Sequence, residues 1–333
     1  MNILVIRLSA LGDVAMTIPA VYSVARAYPQ HSFYVLTSSF CGRLFVNRPE
    51  NVIPLLPPSA SLHGFTGTWR LMTSLWSLPV DAVADLHNVM RSWVLDWSFF
   101  VRGVPTAMLN KQRSERKDIL RHKAKAQPFT LRYLHVFRKL GFPAEMTFTS
   151  LYADTLPPWP ASIPHPSGTL KVGIAPFARY ATKTYPVELM REVIQALNEK
   201  HDADIYLFGA RGAEARQLRL WEQELSRVHC VAARLPIEEE LALMAHLDVM
   251  LTMDSANMHL ASLAGTRVVS LWGATTPACG FLGYGQREED AIDAQLACQP
   301  CSIAGGKSCP RGDFACMYDL KTDAIIKRLL LLS

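Results

Sequence analysis

"LTMDSANMHLASLAGTRVVSLWG", residues 251–273, is the stretch that decides the fold. An apolar run ends at Thr252, Asp254 and Ser255 precede a helical segment to Ala264, and Gly265 stops it. Val268 to Leu271 then form a second apolar run. A strand, a helix and a strand in so short a space make a βαβ unit, which forces a parallel pair. Asp254 or Ser255 can cap free N–H groups at the helix start. Alternatively, a helix N-terminus at the carboxyl end of a strand suits a pyrophosphate, and the small Ala256 lets such a ligand approach the backbone. His259 lies four residues after Ser255, on the same side of the first turn.

The same alternation extends in both directions. In the second half, strands near 170–175, 204–208, 228–231, 249–252 and 267–271 alternate with helices near 186–200, 212–226, 237–247 and 255–264. In the first half, strands near 2–7, 33–37 and 82–86 alternate with helices near 16–28, 69–77 and 89–101. This pattern predicts an α/β fold of two Rossmann-like, doubly wound parallel sheets with a cleft between them. Between the halves, "DTLPPWPASIPHPSG" (154–168) carries five prolines in fifteen residues and reads as a stiff linker. The expected boundaries are 1–153, the linker 154–168, a second domain 169–318, and a terminal helix in 319–333 packing back across the cleft.

Composition narrows the function classes. Half of the 333 residues are apolar, so large cores form without disulfides. A net charge of +5 is too weak to argue for nucleic acid. No apolar run approaches the length of a membrane span. Arg7 and Asp13 interrupt the opening apolar run, so it is not read as a signal peptide, and a cytoplasmic protein is expected. Neither GxGxxG nor GxxxxGK[ST] is present, which counts against an NAD enzyme and a P-loop kinase.

Three further loops follow strands. "RLSALGDVAMTIPA" (7–20) follows the run Asn2–Ile6. Gly12 permits a turn there, and Asp13 stands before a helix from Val14, either as its cap or as a carboxylate at the ligand edge of the sheet. "APFARYATKTYP" (175–186) gathers Arg179, Thr182, Lys183 and Thr184, where a Lys can neutralise a leaving diphosphate. In "FGARGAEARQ" (208–217), Glu214 can receive ribose hydroxyls.

Taken together, these segments resemble the ADP-heptose:lipopolysaccharide heptosyltransferases, glycosyltransferase family 9, of the two-domain GT-B fold. "RLSALGDVAMTIPA" is similar to that family's opening motif. "DLHNVMRS" (85–92) is similar to its acceptor-side segment, with His87 and Asn88 in place of Gln-Gly. "MDSANMHLASLAGTRVVSLWGATTP" is similar to its nucleotide signature, with Ser-Ala-Asn in place of Thr-Gly-Leu. The resemblance implies an inverting transfer from an ADP-sugar to a lipid A–Kdo type acceptor at the inner membrane face, by a cytoplasmic protein peripheral to that membrane. It implies that Asp13 is the general base and that Ser9, Gly12, His87 and Arg91 contact the acceptor. Thr182, Lys183, Glu214, Leu235, Asp254, Ser255, Ala256, Asn257 and His259 would hold the donor, with Leu235 near the adenine. Lys183 and the helix N-terminus near Ser255 would stabilise the leaving ADP, so neither a divalent metal nor an organic cofactor is expected. Two rival readings remain: a GT-B-fold sugar-nucleotide epimerase, and a non-catalytic binder of nucleotide-sugar or lipopolysaccharide.

Two stretches lie outside that pattern. "KQRSERKDILRHKAKA" (111–126) holds seven Lys/Arg against two acids, a solvated surface or a site for acceptor phosphates. Upstream, Trp93, Trp97, Phe99 and Phe100 are read as core in preference to membrane anchors. Cys298, Cys301, Cys309 and Cys316 have the ligand count of a structural zinc site, though the second pair is spaced by six residues instead of two. The alternative is free thiols in a packed loop.

Overall fold

Short, mostly apolar runs form the strands, and every pairing is parallel. In the first sheet these are β1 (Asn2–Ile6), β2 (Ser32–Leu36), β3 (Val52–Leu55), β4 (Ala82–Asp85) and β5 (Thr106–Met108), in the order β3-β2-β1-β4-β5. The second sheet holds β6 (Leu170–Ala175), β7 (Ala203–Leu207), β8 (Val228–Cys230), β9 (Val249–Met253), β10 (Val268–Trp272) and β11 (Ala291–Asp293). Its order is β11-β10-β9-β6-β7-β8. The computed structural model describes residues 1–62 and 64–331. The chain divides into two units: Met1–Arg113 with Gln127–Leu151, and Ser114–Ala126 with Tyr152–Ser333.

In the first unit, helices Gly64–Leu75 and Met90–Phe100 cover one face of the sheet. Leu71, Leu75, Leu95 and Phe99 are buried there against Leu4, Ile6 and Val83. Helices Leu11–Ala27 and Phe129–Lys139 pack together elsewhere in this unit. In the second unit, helix Val187–Lys200 buries Met190, Val193, Ile194 and Leu197 in the main core. The terminal helix Thr322–Leu330 packs on that helix through Ile325 and Leu329, within its own unit. Residues 332 and 333, at the end of the expected helix, lie outside the described residues.

The proline-rich linker carries no helix or strand, and it is anchored to the second unit. Trp159 stacks on His165 and meets the Tyr206 ring edge-on, while Ser167 and Gly168 donate their N–H groups to Asp204 Oδ2.

Three expectations change. The helix after β1 starts at Leu11, before Asp13, because the extended Ala10 takes the cap position. Of the four aromatics expected in the core, only Phe99 is buried; Trp93, Trp97 and Phe100 are exposed. Positions 95 and 99 share the inward side of their helix, so residues 93, 97 and 100 point away from it. The basic stretch is divided between the units. Lys111 and Arg113 stay with the first, while Ile119 and Ala126 are buried beside Cys279 of the second.

Candidate active site

In the first unit the strand order reverses between β1 and β4, and the carboxyl ends of strands at such a reversal open the crevice where parallel sheets take ligands. β1 runs straight into Arg7, whose guanidinium is buried. Nη1 donates to the Leu86 carbonyl just past β4 at 2.7 Å, and Nη2 pairs with Asp13 Oδ2 at 2.7 Å. Burial opposes the Arg7 charge, but Tyr133, Asp13 and Asp85 together outweigh it and hold its pKa above the usual value.

Asp13 is the third residue of its helix. Its Oδ2 accepts the Ala10 N–H at 3.3 Å, so the side chain braces the helix start by reaching back to the capping residue. It is not the cap itself. Oδ1 has no protein partner among the described residues, and the side chain is 33% exposed. One carboxylate oxygen is thus tied to the fold and the other is open. Gly12 lies in the first helical turn and is not among the glycines with positive φ, so it does not make the turn expected of it. Ser9 is exposed beside that turn.

At the end of β4, Asp85 is fully buried and organises the next loop. It accepts the N–H groups of His87 and Asn88 and the Ser92 hydroxyl, at 2.7 to 3.0 Å. Burial and the neighbouring Asp85 push the Asp96 carboxyl up to about 9, so at neutral pH it is an uncharged acid behind that loop. Asn88 takes a left-handed φ of 48°, which Asn tolerates, and ties its side chain to the Leu109 carbonyl and the Trp93 indole N–H. Burial, then Arg7 and Lys111, push the His87 imidazole down to about 3. His87 is therefore neutral, with Nδ1 unpartnered among the described residues. Arg91, half-buried on the next helix, adds to the positive field at His87. Burial, then Arg7 and Arg113, hold the Lys111 ammonium below its ordinary value. A carboxylate oxygen, a neutral imidazole and several cations are thus gathered at one sheet edge.

The second unit repeats the arrangement between β6 and β9, where its strand order reverses. The loop after β6 makes a short turn, Ala181–Lys183, and presents Lys183 to Asp254 just past β9. Nζ and Oδ2 are 2.6 Å apart, both side chains nearly buried. The Thr275 hydroxyl donates to the same oxygen at 2.6 Å. Thr182 is fixed from both sides. Its carbonyl accepts the Ala274 N–H, and its hydroxyl exchanges bonds with Gly306. Gly305, at φ +87°, lies flat against the Lys183 side chain, where a Cβ would collide with the Lys183 stem.

Helix Ala256–Ala264 begins beside this pair. Ser255 occupies the cap position, but its side chain makes no capping bond and its hydroxyl lies 3.2 Å from that of Thr252. Asp254 is committed to Lys183 and Thr275. Neither residue therefore caps the helix through its side chain, and the first-turn N–H groups stay open to an anion. Ala256 and Asn257 are half-buried on that turn, and His259 is buried one turn on. Glu214 bonds the Ala210 N–H at 2.7 Å and so shapes the loop after β7. Leu235 is buried beside Pro236, which precedes the next helix.

The structure adds Arg7, Asp85, Lys111 and Thr275 to the residues expected from sequence. Arg7 had a signal: it is the one charge in an otherwise apolar opening run. Thr275 had none, because only the pairing of β9 with β10 brings it to Asp254. Cys298, Cys301, Cys309 and Cys316 line one small cavity of about 20 Å³. Among the described residues, no group of three or more His, Cys, Asp or Glu is placed to hold a metal ion.

Comparison with known proteins converges on one family. Residues 68–306 match the family model "Glycosyltransferase family 9 (heptosyltransferase)". The chain is 23% identical to lipooligosaccharide heptosyltransferase 2 of Campylobacter jejuni, over 96% of this chain and 94% of that one. It is 24% identical to lipopolysaccharide heptosyltransferase 1 of Pseudomonas aeruginosa, over 97% and 92%. Among solved structures, a family 9 glycosyl transferase from Veillonella parvula superposes with a TM-score of 0.72 at 16% identity, covering 100% of this chain and 98% of that one. The E. coli heptosyltransferase WaaC with ADP superposes with a TM-score of 0.68 at 18% identity, covering 98% of both chains. The fold is thus that of these two-sheet, GT-B-like transferases.

Proposed function

Since the chain belongs to glycosyltransferase family 9, we propose that it is an inverting heptosyltransferase that moves a heptose from an ADP-sugar to a lipopolysaccharide-core acceptor, with Asp13 as the general base. The observation that carries this reading is the divided carboxylate of Asp13: Oδ2 is held by buried Arg7, and Oδ1 is open at the carboxyl edge of the sheet. The first unit takes the acceptor and the second the ADP-sugar.

As the acceptor oxygen attacks the anomeric carbon, its proton passes to Asp13 Oδ1 and the new glycosidic bond forms. The bond from that carbon to the diphosphate breaks, and its electron pair leaves with ADP. Neutral His87 and the cations Lys111 and Arg91 orient the acceptor's hydroxyls and anionic groups. Lys183 and the uncapped N–H groups of helix Ala256–Ala264 take up the charge on the leaving diphosphate. Asp254 holds Lys183 in place until the diphosphate competes for it. One ammonium and one helix N-terminus at the leaving group supply what a divalent metal supplies elsewhere. The acceptor is of the lipid A–Kdo type, which places the reaction at the cytoplasmic face of the inner membrane.

The test is ADP release from ADP-heptose with and without a lipid A–Kdo acceptor. Release that requires acceptor and yields a glycosylated product supports the transferase. Acceptor-independent epimerisation of the donor, or donor binding without turnover, would overturn it.

A further inference from the structure

Helix Met90–Phe100 is amphipathic in the unusual sense. Its inward side carries Ser92, Asp96 and Ser98 along with Leu95 and Phe99. Its outward side carries Met90, Trp93, Val94, Trp97 and Phe100, and Val101 continues the stripe. Met90 is 77% exposed, Trp97 65% and Phe100 68%. These residues recur every three or four positions, so they form one continuous stripe. The adjacent helix, Gly64–Leu75, adds exposed Trp69, and Trp76 follows at its end. Arg102 joins the two elements, with its guanidinium 5.6 Å from the Trp76 ring and 5.9 Å from Phe99. Four of the chain's seven tryptophans, Trp69, Trp76, Trp93 and Trp97, are thus exposed on or beside these two packed helices.

Its charge is one-sided. The only acid in either helix is Asp96, which is buried and protonated, while Arg70 and Arg102 are exposed and Arg91 is half-buried. Exposed tryptophan and phenylalanine with arginine and no acid is the composition that settles at the boundary of headgroups and acyl chains of an anionic bilayer. No described helix is long and apolar enough to cross a membrane. A second copy of the chain would bring arginine against arginine on this face, which disfavours self-association.

We propose that this face, Trp69, Trp76, Trp97 and Phe100 ringed by Arg70 and Arg102, docks the first unit onto an anionic lipid surface. The inference concerns membrane attachment and stands apart from the transferase chemistry, so either can fail alone. Asn88, hydrogen-bonded to the Trp93 indole, follows Asp85 and His87 directly. A lipid-anchored acceptor would thus meet its site from the bilayer side.

The test uses the full chain and protein-free vesicles. Flotation is compared on phosphatidylglycerol/phosphatidylethanolamine vesicles and on neutral phosphatidylcholine vesicles. The parent should float with the anionic set and bind the neutral set about tenfold or more weakly. A Trp69→Gln, Trp97→Gln, Phe100→Gln variant should lose anionic binding by about tenfold or more, at an unchanged melting temperature, because all three side chains are exposed. Arg70→Gln with Arg102→Gln tests the charge arm independently and should weaken anionic binding at low salt and flatten its dependence on salt. Three results would overturn the proposal: no binding by the parent, binding that survives both variants, or a parent dimer in sedimentation that only the aromatic variant dissociates.

Discussion

Two carboxylates, Asp13 and Asp254, occupy matching places: each follows a central strand at the point where its sheet reverses order, and each pairs with a cation. Their partners differ. Arg7 is the next residue after β1, is buried, and is also tied to the Leu86 carbonyl, so it is rigid. Lys183 arrives from a short turn after a different strand, and its ammonium pairs with Asp254 alone among the described residues. Their exposure differs too. Asp13 keeps one oxygen open, whereas Asp254 is nearly buried and its Oδ2 binds both Lys183 and Thr275. A fixed cation with an open carboxylate suits a base that must accept a proton. A cation whose one acidic partner is a closed carboxylate suits a charge held ready for an incoming diphosphate.

The largest expected effect breaks the first of these sites. Asp13→Asn keeps the shape, the contact to the Ala10 N–H and a hydrogen bond from Arg7, but it cannot accept a proton. Turnover should fall by about 10²- to 10⁴-fold. Arg7 would lose its counter-charge, so thermal stability should drop by about 1 kcal/mol. ADP-sugar binding, which belongs to the other unit, should be unchanged. Turnover near that of the parent would leave Asp13 as a brace for its helix and nothing more.

Next comes Lys183→Ala, which should lower turnover at saturating donor by about 10²-fold. Its effect on stability sharpens the comparison. Removing Lys183 strands a nearly buried Asp254, which costs about 3 kcal/mol when one partner of a buried pair is lost. Asp254→Asn in the same chain should restore most of that stability and none of the turnover. Urea melts of the single and double variants measure the first, and ADP release measures the second. A double variant that regained turnover would place Lys183 in the fold alone.

How much of this was legible in sequence depended on where each element sits in its sheet. The central strands β1, β2, β4, β6, β7, β9 and β10 are buried apolar runs and are expected near their observed positions. The unannounced strands β3, β5 and β11 all lie at sheet edges; β3 contains Pro54, and the other two are three residues long, whereas the fourth edge strand, β8, is as short and was expected near 228–231. Edge strands are short and tolerate proline, so their pattern is weak. Helix Phe129–Lys139 was readable from Thr130, Tyr133, Val136 and Phe137, yet no motif marks it. In the site, single-loop features were legible: Asp13, Lys183, Asp254 and Ser255 each announce themselves beside a strand end. The bonds among them were not. That Lys183 meets Asp254, that Arg7 meets Asp13, and that Asp85 folds the His87 loop depend on which strands are neighbours. The exposed tryptophans misled for another reason: apolar spacing shows that a helix has a face, but not which way the face points.

A smaller effect is read by pH within the first unit. Folding holds the His87 imidazole down to about 3, whereas in the unfolded chain it titrates near 6.5. Between those values the unfolded state binds the extra proton, so stability rises with pH and is lost as pH falls below about 6.5. The slope is at most about 1.4 kcal/mol per pH unit, lessened because the ring is not fully enclosed. Asp96 acts in the opposite sense. Its folded pKa is raised, so its share of stability is present below the unfolded value and is lost as pH climbs toward about 9. Melting curves of His87→Gln between pH 5 and 7 should be flatter than those of the parent. An unchanged slope would remove His87 as the source.

The smallest expected effect is none. If Lys183 and the open helix N-terminus carry the leaving-group charge, the initial rate in EDTA should equal the rate in buffer, and added Mg²⁺ or Mn²⁺ should not raise it. Activity that vanished on chelation and returned with Mg²⁺ would move the leaving-group support from the chain to a metal and dissolve the contrast between the two carboxylates. The four cysteines give the same experiment a separate clock. Cys309 accepts N–H bonds from Phe314, Arg311 and Gly312, which outweigh burial and hold its thiol below the ordinary value, while burial and its three cysteine neighbours push Cys316 up to about 11. The four have the ligand count of a zinc site without its paired spacing, so a strong chelator should leave the melting temperature where it was over hours. A slow, chelator-dependent loss of structure that begins after the initial rate has been recorded would instead identify that cavity as a structural metal site, and would leave the chemistry at Lys183 untouched.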